Sequence, residues 1–216
     1  MICESCGMPN PSDQARCRYC THVPPELRTP PLPPQPEWRL TGRTALVVGG
    51  APNVRADVTK ARKLRPGAVM LGANDAGALY REIEQVWTIH SECAAAFRSR
   101  ALGRIEIHTA CERPGMYDAD WFWVDVPDYE AITSGSSGWA AGLWARHLLQ
   151  CSEVILCGIG MTGDPMRHAR GYTANHDRGP PTERWRHDAQ RAIDLGLTEG
   201  ITSMSGRTRD VLGGPA

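Results

Sequence analysis

The stretch TALVVGGAPNVR, residues 44–55, decides the fold of this chain. Ala45–Val48 is a short, uninterrupted apolar run, which is typical of a strand buried on both faces of a parallel sheet. Gly49 and Gly50 then permit a tight turn and the close approach of a ligand, and Pro52 suits the first turn of a following helix. The N–H groups of such a helix start bind anions. Two interpretations stay open for this stretch alone: an anion site, and a βα turn that uses glycine for geometry.

Apolar runs and helical patterns alternate along the rest of the chain from Trp38. The further predicted strands are residues 68–71, 85–89, 104–108, 121–126, 153–157 and 201–204. The predicted helices are residues 54–64, 78–84, 92–99, 136–149 and 182–195. This alternation predicts an α/β fold, with a doubly wound and mostly parallel Rossmann-like sheet over residues 38–216.

Four of the eight cysteines form two Cys-x2-Cys pairs near the start of the chain, separated by ten residues. Thiolates at this spacing surround one zinc ion tetrahedrally, and four protein ligands leave no open position, so the zinc is expected to be structural. Disulfides are the weaker alternative. The segment CESCGMPNPSDQARCRYC resembles the short zinc ribbons at the ends of many bacterial proteins. The predicted ligands, within a ribbon spanning residues 1–22, are Cys3, Cys6, Cys17 and Cys20.

A proline-rich linker, residues 23–37, follows the predicted ribbon and separates it from the α/β domain. Residues 1–40 carry four arginines and four acidic residues, so a phosphate-binding surface is not evident there. We therefore favour a protein partner or simple capping for the ribbon over nucleic acid. The formal net charge of zero, the absence of a bilayer-spanning apolar run and the lack of a signal pattern predict a cytoplasmic protein without a membrane partner.

Polar residues and glycines follow several of the predicted strands. Because ligands of doubly wound sheets lie beyond the carboxyl ends of the strands, these residues are candidates for a shared site. The alternative is that these are ordinary polar loop residues that bind no ligand. The candidates are Gly49, Gly50, Pro52, Asn53, Asn74, Asp75, His90, Ser134, Gly135, Ser136, Ser137 and Gly138.

Two further features bear on chemistry at this edge. The serines and glycines of residues 134–138 directly precede a helix, so its N–H groups and dipole favour a phosphate, although any of these serines also suits an N-cap. His90 is the candidate general base, with a structural histidine as the alternative. Arg167, in the long loop of residues 161–181, is placed to clamp a phosphate, or else lies on a solvated surface.

Several motifs together resemble a group of Rossmann-like transferases. They are GGAPNVR, a second strand ending in GANDA, a third ending in IH, and TSGSSGWAAGLWARHLLQCSEVILCGIGM. The chain resembles the bacterial sialyltransferases of glycosyltransferase family 42 and the archaeal-type 6-hydroxymethylpterin diphosphokinase-like family. It also resembles small phage and prophage proteins with the same arrangement and a tail like SMSGRTRDVLGG, over about residues 43–214.

The resemblance implies a nucleotide- or nucleotide-sugar-dependent transferase, glycosyltransferase-like or diphosphokinase-like, with magnesium as an optional cofactor and a phage origin as one source. The first loop, Asn74 and residues 134–138 match the family's nucleotide-binding positions. Asn53 stands where the family has serine, and residues 159–161 replace its Ile-Asp pair. His168 and His176 match the sialyltransferases' catalytic histidine only loosely. The alternative function is a non-catalytic nucleotide-binding or interaction protein whose ribbon docks a protein or nucleic acid.

We expect purified protein to contain one zinc ion per chain, measured by elemental analysis. Cys17→Ser should release the zinc and unfold the ribbon, because too few apolar residues lie there to fold without metal. The thermal transition of the α/β domain should not change, since the linker decouples the two. Less than about half an equivalent of zinc, with disulfides among the four cysteines, would contradict the tetrahedral thiolate site.

Overall fold

The computed structural model describes residues 40–90, 93–109, 121–122, 136–161 and 182–216. All of them belong to one compact unit, Gln35–Ala216. The predicted zinc ribbon and linker lie outside the described residues, and the zinc and the domain boundaries stay predictions.

Seven strands and five α-helices account for most of the described residues. The strands are β1 (Thr44–Val48), β2 (Val69–Ala73), β3 (Gln85–Trp87), β4 (Glu106–Thr109), β5 (Trp121–Phe122), β6 (Glu153–Cys157) and β7 (Ile201–Ser203). The helices are α1 (Val54–Leu64), α2 (Ala94–Arg100), α3 (Ser137–His147), α4 (Thr182–Asp194) and α5 (Gly206–Leu212).

The strands form a single sheet in the order β5-β4-β3-β2-β1-β6-β7. Every pair of neighbours is parallel. The predicted parallel α/β sheet is confirmed for the described residues, and β1 lies in its interior, as the apolar run predicted. Ala45–Val48 have no exposed surface because β2 and β6 flank the strand and helices cover both of its faces.

The two faces of the sheet carry separate hydrophobic cores. On one face, α1 packs Val54, Val58 and Ala61 against Leu46 and Val48. On the other face, α3 and α4 supply a core that includes three buried tryptophans. These are Trp139, Trp144 and Trp185. The chain is thus wound on both faces, which makes the sheet Rossmann-like.

The predicted helix at residues 78–84 is wrong. A 3-10 helix occupies Asn74–Ala78 instead, immediately after β2. Asn74 has a φ of 52°, in the left-handed region that asparagine tolerates better than most residues. This conformation ends the strand and starts the short helix at once, so the chain turns earlier than the sequence pattern predicts.

The described helices include none that is both long enough and apolar enough to cross a membrane.

Gly158, directly after β6, should tolerate no side chain. Its φ is +64°, and an added Cβ would lie 2.5 Å from Cβ of Val54. We expect Gly158→Ala to lower the free energy of unfolding by about 2–5 kcal/mol, from backbone strain and overpacking together. Gly67→Ala is the matched control, because Gly67 has a φ of +82° with nothing within 4 Å. That change should cost only about 1–2 kcal/mol. Equal losses for the two variants in urea unfolding would show that steric fit at Gly158 contributes nothing.

Candidate functional site

The connections after the adjacent strands β1 and β6 lead to opposite faces of the sheet. Helix α1, which follows β1, packs on the face of Leu46. Helix α4, which follows β6 along the chain, packs Trp185 and Ala189 on the opposite face. In open α/β sheets this reversal leaves a crevice beyond the carboxyl ends of the two strands. The candidate residues of the first loop lie at this position.

The loop after β1 is fixed against the loop after β6. Gly49 N donates to the Cys157 carbonyl at 2.8 Å, and Ala51 N donates to the Gly158 carbonyl at 3.0 Å. An added Cβ on Gly49 would lie 2.6 Å from the Gly158 carbonyl oxygen. The close contact between the two loops therefore explains why residue 49 is a glycine. The Gly49 amide is already hydrogen-bonded within the protein. Gly50, the next residue, is half-buried.

A buried carboxylate, Asp57, joins three of the loops at this edge. Its Oδ2 accepts a hydrogen bond from Gly158 N at 2.9 Å and one from Asn53 Nδ2 at 3.2 Å. The Ser205 hydroxyl, after β7, donates to the same oxygen. The Asn53 amide also donates to Ser205 Oγ at 2.6 Å. Asn53, predicted to bind a nucleotide, thus ties the first helix to the loop after β7.

The sequence analysis did not identify Asp57 or Ser205. Asn53 and Asp57 are spaced i, i+4 at a helix start, a spacing at which side chains meet. That signal was present, but nothing in the sequence indicated that a loop 148 residues away would donate to the same carboxylate.

The other side of the crevice brings Asn74, His90 and Ser137 close together through two residues that follow β3. The Thr88 hydroxyl donates to Asn74 Oδ1 at 2.8 Å and accepts from His90 N at 2.9 Å. Ile89 N donates to Ser137 Oγ at 3.2 Å. Hydrogen bonds to the segment after β3 therefore bring together three of the predicted site residues from separate parts of the chain.

Ser136 is the N-cap of α3. Its Oγ accepts from Trp139 N at 3.3 Å, and its hydroxyl lies 3.5 Å from the sulfur of Met161. Gly138 allows Ile159 to pack close, since an added Cβ would lie 3.1 Å from that side chain. The start of α3 is thus in contact with the loop after β6. The remaining predicted members of this group, Ser134, Gly135 and Arg167, lie outside the described residues.

Asn74 and Met161 are non-glycine residues in the left-handed region, with φ of 52° and 45°. They follow β2 and β6, the two neighbours of β1. Such conformations cost about 1–3 kcal/mol and concentrate at binding and catalytic sites. Asn74 and Met161 lie on both sides of β1 at this edge, while a third such residue, Gln150 with a φ of 59°, precedes β6 at the opposite edge.

Asp75 is paired with Arg100 within the protein. Its buried carboxylate receives Arg100 Nε at 2.9 Å on Oδ2 and at 3.1 Å on Oδ1. The pair fixes α2 to the 3-10 helix after β2. Neutralisation by a guanidinium makes this carboxylate a poorer ligand for magnesium than a solvated one.

His90 lies half-buried in the loop after β3, where its carbonyl accepts from Cys93 N at 2.9 Å. Its backbone amide bonds the Thr88 hydroxyl, which bonds Asn74, so His90 lies at the same edge as Asn74. The two described cysteines of the core are poor nucleophiles. Burial raises the pKa of the Cys151 thiol to about 11 and raises that of Cys157 further, the latter also through the Asp57 charge.

No cluster of three or more histidine, cysteine or acidic side chains suited to a metal occurs in the described part of the chain.

A separate cavity of about 310 Å³ lies at the opposite, amino edge of the sheet, at the start of β4. Its lining residues are Arg98, Gly103, Arg104, Ile105 and Glu106. It is remote from the strand ends that carry the candidate residues.

No protein-family model matches this chain. No curated protein matches it either. Among solved structures, the chain is similar to a mammalian sialyltransferase in complex with Gal-beta-1-3GalNAc-ortho-nitrophenol, at 11% sequence identity and a TM-score of 0.39. The alignment covers 77% of this chain and 70% of the sialyltransferase chain.

Proposed function

We propose that residues 38–216 bind a nucleotide or nucleotide sugar in the crevice beside β1 and transfer a group from it to an acceptor. The observation that carries the proposal is the reversal at β1 and β6, where the chain leaves two adjacent parallel strands toward opposite faces. Nucleotides bind at this position in doubly wound sheets. The structural zinc and any magnesium belong to the proposal as predictions from the sequence.

Two helix starts support the proposed phosphate position. Helix α1 begins on one face after the Gly49–Asn53 turn, and α3 begins on the other face at Ser137, whose neighbour Gly138 packs on Ile159. Both supply N–H groups and partial positive charge to the same edge, so a phosphate there needs no lysine. Gly49 N and Ala51 N are used between the two loops and Pro52 has no N–H, which leaves the amides of Gly50 and Asn53 as the donors expected from the turn.

The group transfer is assigned to His90 as the base that takes a proton from the acceptor. It follows β3, beside Asn74 and Ser137, and histidine is the side chain that most often serves as a general base. Arg167 is the candidate to close over the phosphate.

Gly50→Val should abolish nucleotide binding, because the added side chain fills the space proposed for the phosphate. Thermal shift and titration calorimetry with nucleoside 5′-mono- and diphosphates measure this, since a ligand of the folded state raises the melting temperature. Gly214→Val is the matched control: Gly214 is exposed, and an added Cβ meets only the flexible Arg209 side chain. The control should bind like the parent.

His90→Ala in the same assays should keep the nucleotide affinity and lose turnover of the corresponding nucleotide sugar. Turnover should fall by about 10²–10⁴-fold, the usual contribution of a general base. If Gly50→Val binds nucleotide as tightly as the parent, the phosphate does not lie at the proposed position beside Gly50. Binding by the parent without turnover of any donor would favour the non-catalytic alternative.

A further inference from the structure

Thr88 is a hydrogen-bonded side chain at the carboxyl edge that was not singled out from the sequence. It is fully buried, one residue beyond the end of β3. Its hydroxyl accepts from His90 N and donates to Asn74 Oδ1, so both roles of the hydroxyl are used. Its own amide donates to the His108 carbonyl at 2.9 Å. The side chain is therefore held in one orientation by Asn74 and His90, and its backbone is held by β4.

The hydroxyl in turn fixes the side chain of Asn74. With the hydroxyl proton on Oδ1, the amide oxygen of Asn74 faces the buried Thr88, and the amide nitrogen is on the opposite side. Asn74 is half-buried, and within the described part of the chain its Nδ2 has no hydrogen-bond partner. A donor held in this way at the end of a strand, on a backbone with φ of 52°, is oriented before any ligand arrives.

We propose that Thr88 is a positioning residue of the nucleotide site, one that makes Asn74 a hydrogen-bond donor to the ligand. The inference rests on the proposed function and adds to it the direction of this hydrogen bond. Asn74 Nδ2 donates to an oxygen of the nucleotide, on the phosphate or the ribose. Thr88 itself does not touch the ligand. It acts only through Asn74.

The direct test replaces Asn74 Nδ2, the atom proposed to face the ligand, and keeps an oxygen in the position that faces Thr88. Asn74→Asp keeps an oxygen for the Thr88 hydroxyl and replaces the outward nitrogen by a carboxylate oxygen, and aspartate tolerates the left-handed backbone. The dissociation constants for AMP, GMP, CMP and UMP, measured by titration calorimetry, should rise at least about tenfold, because an acceptor then faces an acceptor. Melting temperatures without nucleotide show whether the variant folds as the parent does.

Thr88 is tested by removing its hydroxyl at nearly constant shape. Thr88→Val should weaken binding about tenfold, and Thr88→Ser should restore it to within about twofold of the parent. In an Asn74→Ala background, Thr88→Val should cause no further loss of affinity, as expected for a residue that acts through Asn74. Thr44→Val is the matched control, at the amino end of β1, where the hydroxyl bonds Glu153 at 3.1 Å. It should not change the affinity.

The outcomes separate the two claims. If the parent binds none of the four nucleotides, the proposed function fails and the role of Thr88 falls with it. If the parent binds but Asn74→Asp binds as tightly, Asn74 is not a donor and only the present inference is overturned. The same holds if Thr88→Val weakens binding equally with and without Asn74, since its effect would then be a general loss of structure.

Discussion

The carboxylate of Asp57 is the interaction on which the carboxyl edge of the sheet depends. One oxygen receives the amide of Gly158, the side chain of Asn53 and the hydroxyl of Ser205, from the loops after β6, β1 and β7. A buried carboxylate is costly unless its oxygens accept hydrogen bonds. Each of these donors therefore offsets the cost of the buried charge and also holds its own loop in place. The three loops, which the strand order brings side by side, are therefore held in position relative to one another.

The consequence is a division of the edge into a fixed part and an open part. The loop after β6 is held by α5: the Thr208 hydroxyl donates to the Ile159 carbonyl at 2.6 Å, and Arg207 N donates to the Gly160 carbonyl at 2.8 Å. Across β1 lie the amide of Gly50 and the amide nitrogen of Asn74, for which the described residues supply no hydrogen-bond partner, and His90 follows the next strand. A fixed scaffold next to a few oriented polar groups is the arrangement that preorganised binding requires.

The fold could be predicted from the sequence to a large extent because local patterns determine it. Ala45–Val48 is apolar without interruption, and burial between two strands and two helix layers suits such a run. The 3-10 helix at Asn74–Ala78 was missed because a left-handed asparagine leaves no periodic signal. The candidate site could be predicted only to the extent of which loops meet. Asn53 and Asp75 are polar residues at strand or helix ends, but their partners Ser205 and Arg100 are fixed by the tertiary fold. Ser136 caps its own helix through the local Trp139 amide, as a serine before a helix is expected to do. Thr88 carried no signal, since a threonine at a strand end is common in any sheet.

The most direct measurement of the central claim is the position of a bound nucleotide in a crystal structure of the complex. We expect the phosphate beyond the carboxyl ends of β1 and β6, between the Gly49–Asn53 turn and the start of α3, within hydrogen-bond distance of the Gly50 amide. A phosphate bound in the cavity at the amino edge, beside Arg98 and Arg104, would contradict it.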